Sequence, residues 1–261
     1  MNNSMGIDSR KSLTASPWGA IFFSILTSFY YWILTYDSWY ILAIGGILQC
    51  IGLYLLASQT QRTAWGEFWR GGLIGTNASF NAIFWYALTG QFWMSIGLGT
   101  VLFLSSILAI SRSKIFHPWL GWLNWLLPMS WPVNVLGLLM FVINLVFAPL
   151  GYLHPILKGI RIRLYIDLKT CTFTQYGGLI RPIKGFSGLN MGNFIFINPG
   201  WEHLLKHEIG HLFSLAAMGF VFHYFGGIDE NYFQKRYWEA YAEYIAESYN
   251  KPEASGLSMW Q

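Results

Sequence analysis

The first 150 residues contain five apolar stretches, at about 17–36, 39–57, 72–90, 92–110 and 133–150. A helix needs roughly 20 such residues to cross the hydrocarbon core of a bilayer, and each stretch is about that long. Only 11% of the residues are charged, whereas soluble domains carry about a quarter, so a water-facing surface could not be covered. The sequence therefore predicts an integral, multi-pass membrane protein rather than a soluble bundle of buried helices.

Basic residues flank these stretches and predict their orientation. If four spans alternate, three pairs fall on one side, which the positive-inside rule makes cytoplasmic: Arg10 and Lys11, Arg62 and Arg70, Arg112 and Lys114. The N-terminus is therefore expected in the cytoplasm (the membrane being the cytoplasmic one in a bacterium), with the first stretch a retained anchor. A fifth span would place residues 151–261 outside, but Lys158, Arg161 and Arg163 favour the cytoplasm, so their side stays open.

Asparagines are the polar residues that stand out inside the apolar stretches: Asn77, Asn81, Asn134 and Asn144. Side-chain amides in membrane helices either form hydrogen bonds between helices or line a transport pathway, and we expect the first role. No Asp, Glu, Lys or Arg lies in the middle of a stretch, which argues against a proton or ion relay.

Residues 151–261 differ in kind from the first half. In the segment RIRLYIDL, residues 161–168, apolar and polar side chains alternate, as in a half-buried strand. A hairpin partner is predicted at 170–176 and a third strand at 193–198. Two helices follow, from about Trp201 to Phe222 and from about Tyr232 to Tyr249. We expect a mainly α membrane protein with two domains, 1–150 and 151–261, the second a small α+β unit with a short antiparallel sheet.

The motif HEIGH, residues 207–211, predicts a zinc site on the first of these helices. Residues four apart on a helix have β-carbons about 5–6 Å apart, so His207 and His211 can bind one ion. Glu208 lies beside them, where its carboxylate can accept a proton from a water on the zinc. The alternative to a zinc site is that these three polar residues lie on a solvent-exposed helix face and bind no metal.

The third ligand is left open by this motif. Catalytic zinc usually has three protein ligands and one open position, and a histidine at the next expected spacing is absent because position 217 is Ala217. His203 is expected to be a surface histidine. The alternatives downstream are His223, Asp229, Glu230, Glu239, Glu243 and Glu247. The last three form a carboxylate stripe on an otherwise aromatic helix, which neutralisation by zinc would explain.

HEIGH followed by EAYAE, residues 239–243, resembles the gluzincin metallopeptidases. In that family the first carboxylate of the second motif binds zinc and the second supports a histidine ligand from behind. The resemblance implies these roles for Glu239 and Glu243, although Glu243 stands where the family usually has Asp. The layout is most similar to integral-membrane minigluzincins, more distantly to CAAX prenyl endopeptidases, and the resemblance covers mainly residues 193–248.

The resemblance also implies a zincin-like domain whose strand before the active-site helix has an open edge. An edge strand offers unpaired N–H and C=O groups that an extended peptide can complete. This would make Asn193, Phe194, Ile195 and Phe196 the substrate-binding residues, the alternative being an ordinary buried strand. Nearby tyrosines could stabilise an oxyanion, although core packing is the default for them: Tyr237, Tyr241 and Tyr244.

These features lead us to expect a membrane-embedded zinc metalloendopeptidase with one Zn²⁺ per chain and Glu208 as general base and then acid. Its partners would be the lipid bilayer and a peptide or protein substrate. Membrane-associated proteins are among the substrates considered. The net charge of +4 comes from scattered Lys and Arg, so no nucleic-acid partner is expected. The alternative is a zinc-binding membrane protein without turnover, with a structural or regulatory metal and His203 or His223 as an extra ligand. A site-2 type intramembrane protease is disfavoured, because no predicted span contains the Asp ligand it needs.

Overall fold

The computed structural model describes residues 13–33, 39–110, 115–153, 160–180, 182, 187–233, 237–248 and 257–259. Most of these residues are helical. Several basic residues on which the predicted orientation depends lie outside the described residues: Arg10, Lys11, Arg112, Lys114 and Lys158.

The helices within this part of the chain are α1 (Pro17–Ile33), α2 (Trp39–Gln59), α3 (Ala64–Thr89), α4 (Phe92–Ile110), α5 (Phe116–Leu123), α6 (Trp131–Leu153), α7 (Leu205–Ile228) and α8 (Tyr237–Ser248). Among the described residues, four helical segments are long and apolar enough to cross a membrane: Tyr40–Gln59, Phe92–Ile110, Pro128–Leu153 and Glu202–Ile228. These segments mark the chain as a membrane protein.

Three of the four segments coincide with the apolar stretches expected at 39–57, 92–110 and 133–150. The other two expected stretches form α1 and α3, which are not among the four. Helix α1 has 17 described residues, about 25 Å of helix, whereas a hydrocarbon core is about 30 Å thick. Helix α3 carries small and polar residues from Arg70 to Asn81, and these are buried among its neighbours. The fourth segment, around α7, was not expected as a span and is mostly buried inside the protein.

The expected role of the asparagines as hydrogen-bonding residues between helices is confirmed for three of the four, whereas Asn144 bonds to Gln175 of the sheet. Asn77 of α3 donates to the main-chain oxygen of Ala216 in α7 at 3.0 Å. Asn81 accepts from the main-chain N–H of Met129 at 3.0 Å. Asn134 and Asn144 of α6 form further hydrogen bonds, to Asn124 O at 3.2 Å and to Gln175 Oε1 at 2.9 Å.

Helix α7 is broken at Gly219, where φ is 82° and ψ is 176°. Only glycine adopts such a positive φ without strain. The break removes helical hydrogen bonds in an apolar environment, where main-chain groups need partners inside the protein. Asn77 provides one, because its amide donates to the oxygen of Ala216 within the turn before the break. The break divides α7 into a first part with the HEIGH motif and a second part that extends to Ile228, beyond the predicted end at Phe222.

The sheet contains β1 (Ile162–Asp167), β2 (Thr172–Gly177), β3 (Gly188–Met191), β4 (Phe194–Ile197) and β5 (Leu257–Met259), in the order β3-β4-β2-β1-β5. The predicted strands correspond to β1, β2 and β4, whereas β3 and β5 were not expected. The prediction of an antiparallel sheet is wrong in one place, because β2 pairs with β4 in parallel. The chain after β2 first forms β3, and the β3–β4 hairpin then returns β4 in the direction of β2.

The hydrophobic core runs across the predicted boundary between the halves. Tyr54 of α2 and Leu73 of α3 belong to the same buried cluster as Phe213 and Phe222 of α7. The ring of Tyr54 lies 5.4 Å from that of Phe222, centroid to centroid. The helix that carries the HEIGH motif is therefore packed directly into the helices of the first half.

Candidate metal centre

Helices α7 and α8 bring three potential metal ligands together. The Nε2 atoms of His207 and His211 lie 3.1 Å apart. Glu239 of α8 faces both, with Oε2 2.7 Å from Nε2 of His207 and Oε1 3.3 Å from Nε2 of His211. One ligand atom from each residue lies within 4.8 Å of the others. This donor set fits zinc, which binds imidazole nitrogens and carboxylate oxygens at about 2.0–2.2 Å.

The other ligands considered from the sequence whose side chains are described are not part of this group. His203 is exposed, and its ring lies 5.6 Å from that of Trp201. His223 is buried with its ring 6.4 Å from that of His211, and its Nε2 contacts the main-chain oxygen of Asn190 at 3.1 Å. Asp229 accepts a hydrogen bond from the hydroxyl of Tyr54 at 2.7 Å. The side chain of Glu247 lies outside the described residues.

Two neighbouring carboxyls of the cavity, Glu239 and Glu230, have opposite pKa shifts. Burial acts to raise the pKa of Glu239, but hydrogen bonds from His207 and His211 outweigh it and hold that pKa well below its usual range. Glu239 is therefore ionised. Burial and the neighbouring Glu239 carboxylate raise the pKa of Glu230, which lines the same cavity, to about 7. The anionic carboxyl of the pair is thus the one that faces the imidazoles.

Glu208 lies beside the metal ligands and against the sheet. Its side chain is buried but lines the cavity. Its main-chain oxygen accepts a hydrogen bond of 2.8 Å from the Asn190 side-chain amide in β3. Its carboxylate packs against Gly188, where a β-carbon would overlap Oε1 of Glu208. The side chain expected to act as the base thus extends from α7 and packs against β3.

Glu243 does not have the supporting contact that the resemblance implies. Its side chain is exposed at the cavity, and the described contacts include no hydrogen bond between its carboxylate and either imidazole. The residue that contacts the ligands instead is Trp238, which sequence reasoning missed. Its indole Nε1 donates to Oε1 of Glu239 at 2.6 Å, and its ring is stacked on His211 at a centroid distance of 4.0 Å. Its position next to Glu239 was the one available signal.

The prediction that residues 193–196 lie on an edge strand that binds substrate is wrong. Asn193 precedes β4, and Phe194, Ile195 and Phe196 lie within it, but β4 is an interior strand paired with β3 and β2. All four side chains are buried, and Asn193 donates to the main-chain oxygens of Gly121 and Cys171. A continuous apolar run such as FIFI is typical of a strand covered on both faces.

The strand that borders the cavity is β3, which forms the edge of the sheet. Residues 187–191 line a cavity of about 550 Å³ together with His207, Glu208, His211 and Glu239. The rim also includes Tyr224 and Tyr232, whereas the tyrosines considered from the sequence, Tyr237, Tyr241 and Tyr244, are buried and are not among the lining residues. The site therefore combines a ligand triad, an adjacent carboxyl and an open strand edge.

Comparisons with known proteins do not place the chain in a family. No protein-family model, no curated protein and no solved structure matches it.

Proposed function

We propose that the chain is a membrane-embedded, zinc-dependent metalloendopeptidase of the gluzincin type that its two motifs resemble. The observation that carries this proposal is the convergence of His207, His211 and Glu239, with one ligand atom from each within 4.8 Å of the others. Two imidazoles and a carboxylate form a ligand set used by catalytic zinc, and three protein ligands leave a position for solvent. One ion would be bound per chain.

The residues around the triad would divide the chemistry between them. Zinc, when bound, would supply a Lewis acid that activates water and polarises the scissile carbonyl. Glu208 would take the proton of the attacking water and then deliver it to the departing amide nitrogen. Its carboxyl lines the cavity that holds the triad, which supports this role.

The edge of β3 would align the peptide. An extended substrate can add to this edge as a further antiparallel or parallel strand, using main-chain hydrogen bonds that do not depend on sequence. Gly188 faces the Glu208 carboxylate, so a peptide on this edge would lie beside the proposed base. An apolar rim that includes Ile228 and Tyr232 suits a peptide or protein substrate with apolar side chains, including a membrane-associated one.

The proposed arrangement in the bilayer is multi-pass, with the N-terminus in the cytoplasm and the zinc site near one membrane surface. Residues 1–150 would form the transmembrane domain and 151–261 the metallopeptidase domain. Tyr232 is 80% exposed at the rim of the cavity, so a cysteine placed there is accessible to a reagent that cannot cross the membrane. Labelling of Tyr232→Cys in intact cells and in inverted vesicles would assign the side.

The full-length protein, purified in detergent, tests the proposal by zinc quantification and a peptide-library cleavage assay. We expect the wild type to contain one zinc and to cleave, and Glu239→Ala to lose the metal. Glu243→Ala is the matched control, because it removes a carboxylate four residues away that contacts neither histidine among the described residues. Glu208→Gln should keep the zinc and lose turnover. Cleavage by Glu208→Gln would refute the assigned base, and zinc without cleavage in the wild type would favour a structural or regulatory metal.

A further inference from the structure

We propose that Trp238 is a positioning residue for the metal ligands. Its indole N–H would restrain the orientation of the Glu239 carboxylate, and its ring would fix the plane of the His211 imidazole. The inference rests on the proposed zinc site.

The first contact restrains the carboxylate of Glu239. Nε1 of Trp238 donates to Oε1 at 2.6 Å, while Oε2 lies 2.7 Å from Nε2 of His207. Oε1 also lies 3.3 Å from Nε2 of His211, so the carboxylate faces both imidazoles. Trp238 is 7% exposed, and its N–H restrains the carboxylate in this orientation.

The second contact orients His211. A histidine that binds metal usually donates its other ring N–H to a carboxylate, carbonyl or water, which fixes the ring. The buried Nδ1 of His211 has no hydrogen-bond partner among the described residues. Its ring is instead stacked on Trp238, with centroids 4.0 Å apart and planes inclined by 28°. Stacking thus supplies the restraint that a hydrogen bond supplies elsewhere.

The indole is itself held on its other sides. His223 packs against it edge-on, with centroids 4.6 Å apart and an interplanar angle of 71°. Gly226 lies under the ring, because a β-carbon at that position would overlap the Cε3 atom of Trp238. The second part of α7 therefore packs against the indole of Trp238 and restrains its position.

One consequence concerns the ligand set. His207, His211 and Glu239 would hold the ion, and three protein ligands are the number typical of catalytic zinc. By restraining the Glu239 carboxylate and the His211 ring, Trp238 would keep this ligand set preorganised for the ion.

The test compares metal binding by the wild type and Trp238→Phe, which keeps a ring over His211 but removes the donor. Zinc affinity is measured by competition with a chelator, and coordination by the visible absorption of the Co²⁺-substituted protein. We expect an affinity about 10–100-fold lower and a changed Co²⁺ spectrum. Trp119→Phe, at an exposed tryptophan of α5, is the matched control and should change neither.

A second variant keeps the proposal testable if Trp238→Phe does not fold, which thermal melting of the metal-free protein would reveal. Gly226→Ala retains the indole but displaces it, and should also weaken zinc binding and alter the Co²⁺ spectrum. Unchanged affinity and spectrum in Trp238→Phe, or in Gly226→Ala where it replaces that variant, would overturn the inference alone. A wild type that binds no zinc would overturn the proposed function as well.

Discussion

Gly188 of the edge strand lies so close to Glu208 that a β-carbon at position 188 would overlap Oε1 of the glutamate. The position of the proposed base is therefore set by the absence of a side chain on β3. Gly188→Ala should push the carboxylate away while leaving the three metal ligands in place. A misplacement of the order of 1 Å can cost about 100-fold in rate, so we expect a loss of that size in kcat with unchanged zinc content.

The control for this variant is Gly227→Ala. Gly227 also lines the cavity, but no atom lies within 4 Å of where its β-carbon would be. It adds the same methyl group without displacing Glu208, so it separates a shift of the base from simple obstruction of the cavity. Equal loss of kcat in the two variants would contradict the positional explanation.

Asn190 connects the edge strand to the active-site helix. Its side-chain amide donates to Glu208 O at 2.8 Å, and its Oδ1 accepts from the N–H of Gly192 at 2.9 Å. Asn190→Ala leaves the buried N–H of Gly192 without its acceptor, which costs about 1–3 kcal/mol. We expect a lower melting temperature and a raised KM at unchanged zinc content, because β3 supplies no metal ligand. An unchanged melting temperature and KM would show that these hydrogen bonds do not hold the strand in place.

Much of the helical structure and the residues of the triad could be predicted from local patterns. Four-residue spacing alone brings His207 and His211 to one face, whereas Glu239 was one of several alternatives and was implied only by the family resemblance of EAYAE. The edge strand β3 could not be predicted, because its sequence GLNM is short and lacks a clear alternation. The sequence FIFI of β4, in contrast, is a typical strand sequence. Which strand lies at the edge depends on a parallel pairing between β2 and β4, which no local pattern encodes.

The roles of α7 and Trp238 were missed for a related reason. A helix from about Trp201 to Phe222 was predicted, but the enclosure of α7 by α2, α3 and α5 is set by long-range packing around Phe213 and Phe222. Trp238 is one of 14 tryptophans, and its position next to Glu239 does not by itself separate a core residue from one that contacts a ligand. Only the approach of α8 to α7 gives it that contact.

The break in α7 requires glycine at position 219, and replacing that glycine should lower the stability of the protein. Gly219 has a φ of 82°, and a β-carbon there would lie 2.6 Å from Oδ1 of Asn77. Strain of this kind costs about 1–3 kcal/mol, so Gly219→Ala should lower the melting temperature in detergent. Gly97→Ala in α4 is the matched control, because its β-carbon would meet no atom within 4 Å and alanine favours a helix by about 1 kcal/mol. A melting temperature for Gly219→Ala equal to or above that of Gly97→Ala would contradict the role of the break.

Residues 151–261 should depend on the first half of the chain for a soluble, folded state. Phe213 and Phe222 of α7 are fully buried in one cluster with Tyr54 and Leu73, and separation would expose them. An exposed apolar patch of several large side chains promotes aggregation. We therefore expect residues 151–261, expressed alone, to aggregate without detergent in size-exclusion chromatography. Co-expression with residues 1–150, followed by purification in detergent, is the control and should give a monodisperse complex, since it restores the partner surface. A monodisperse fragment in plain buffer would mean that α7 does not need the helices of the first half.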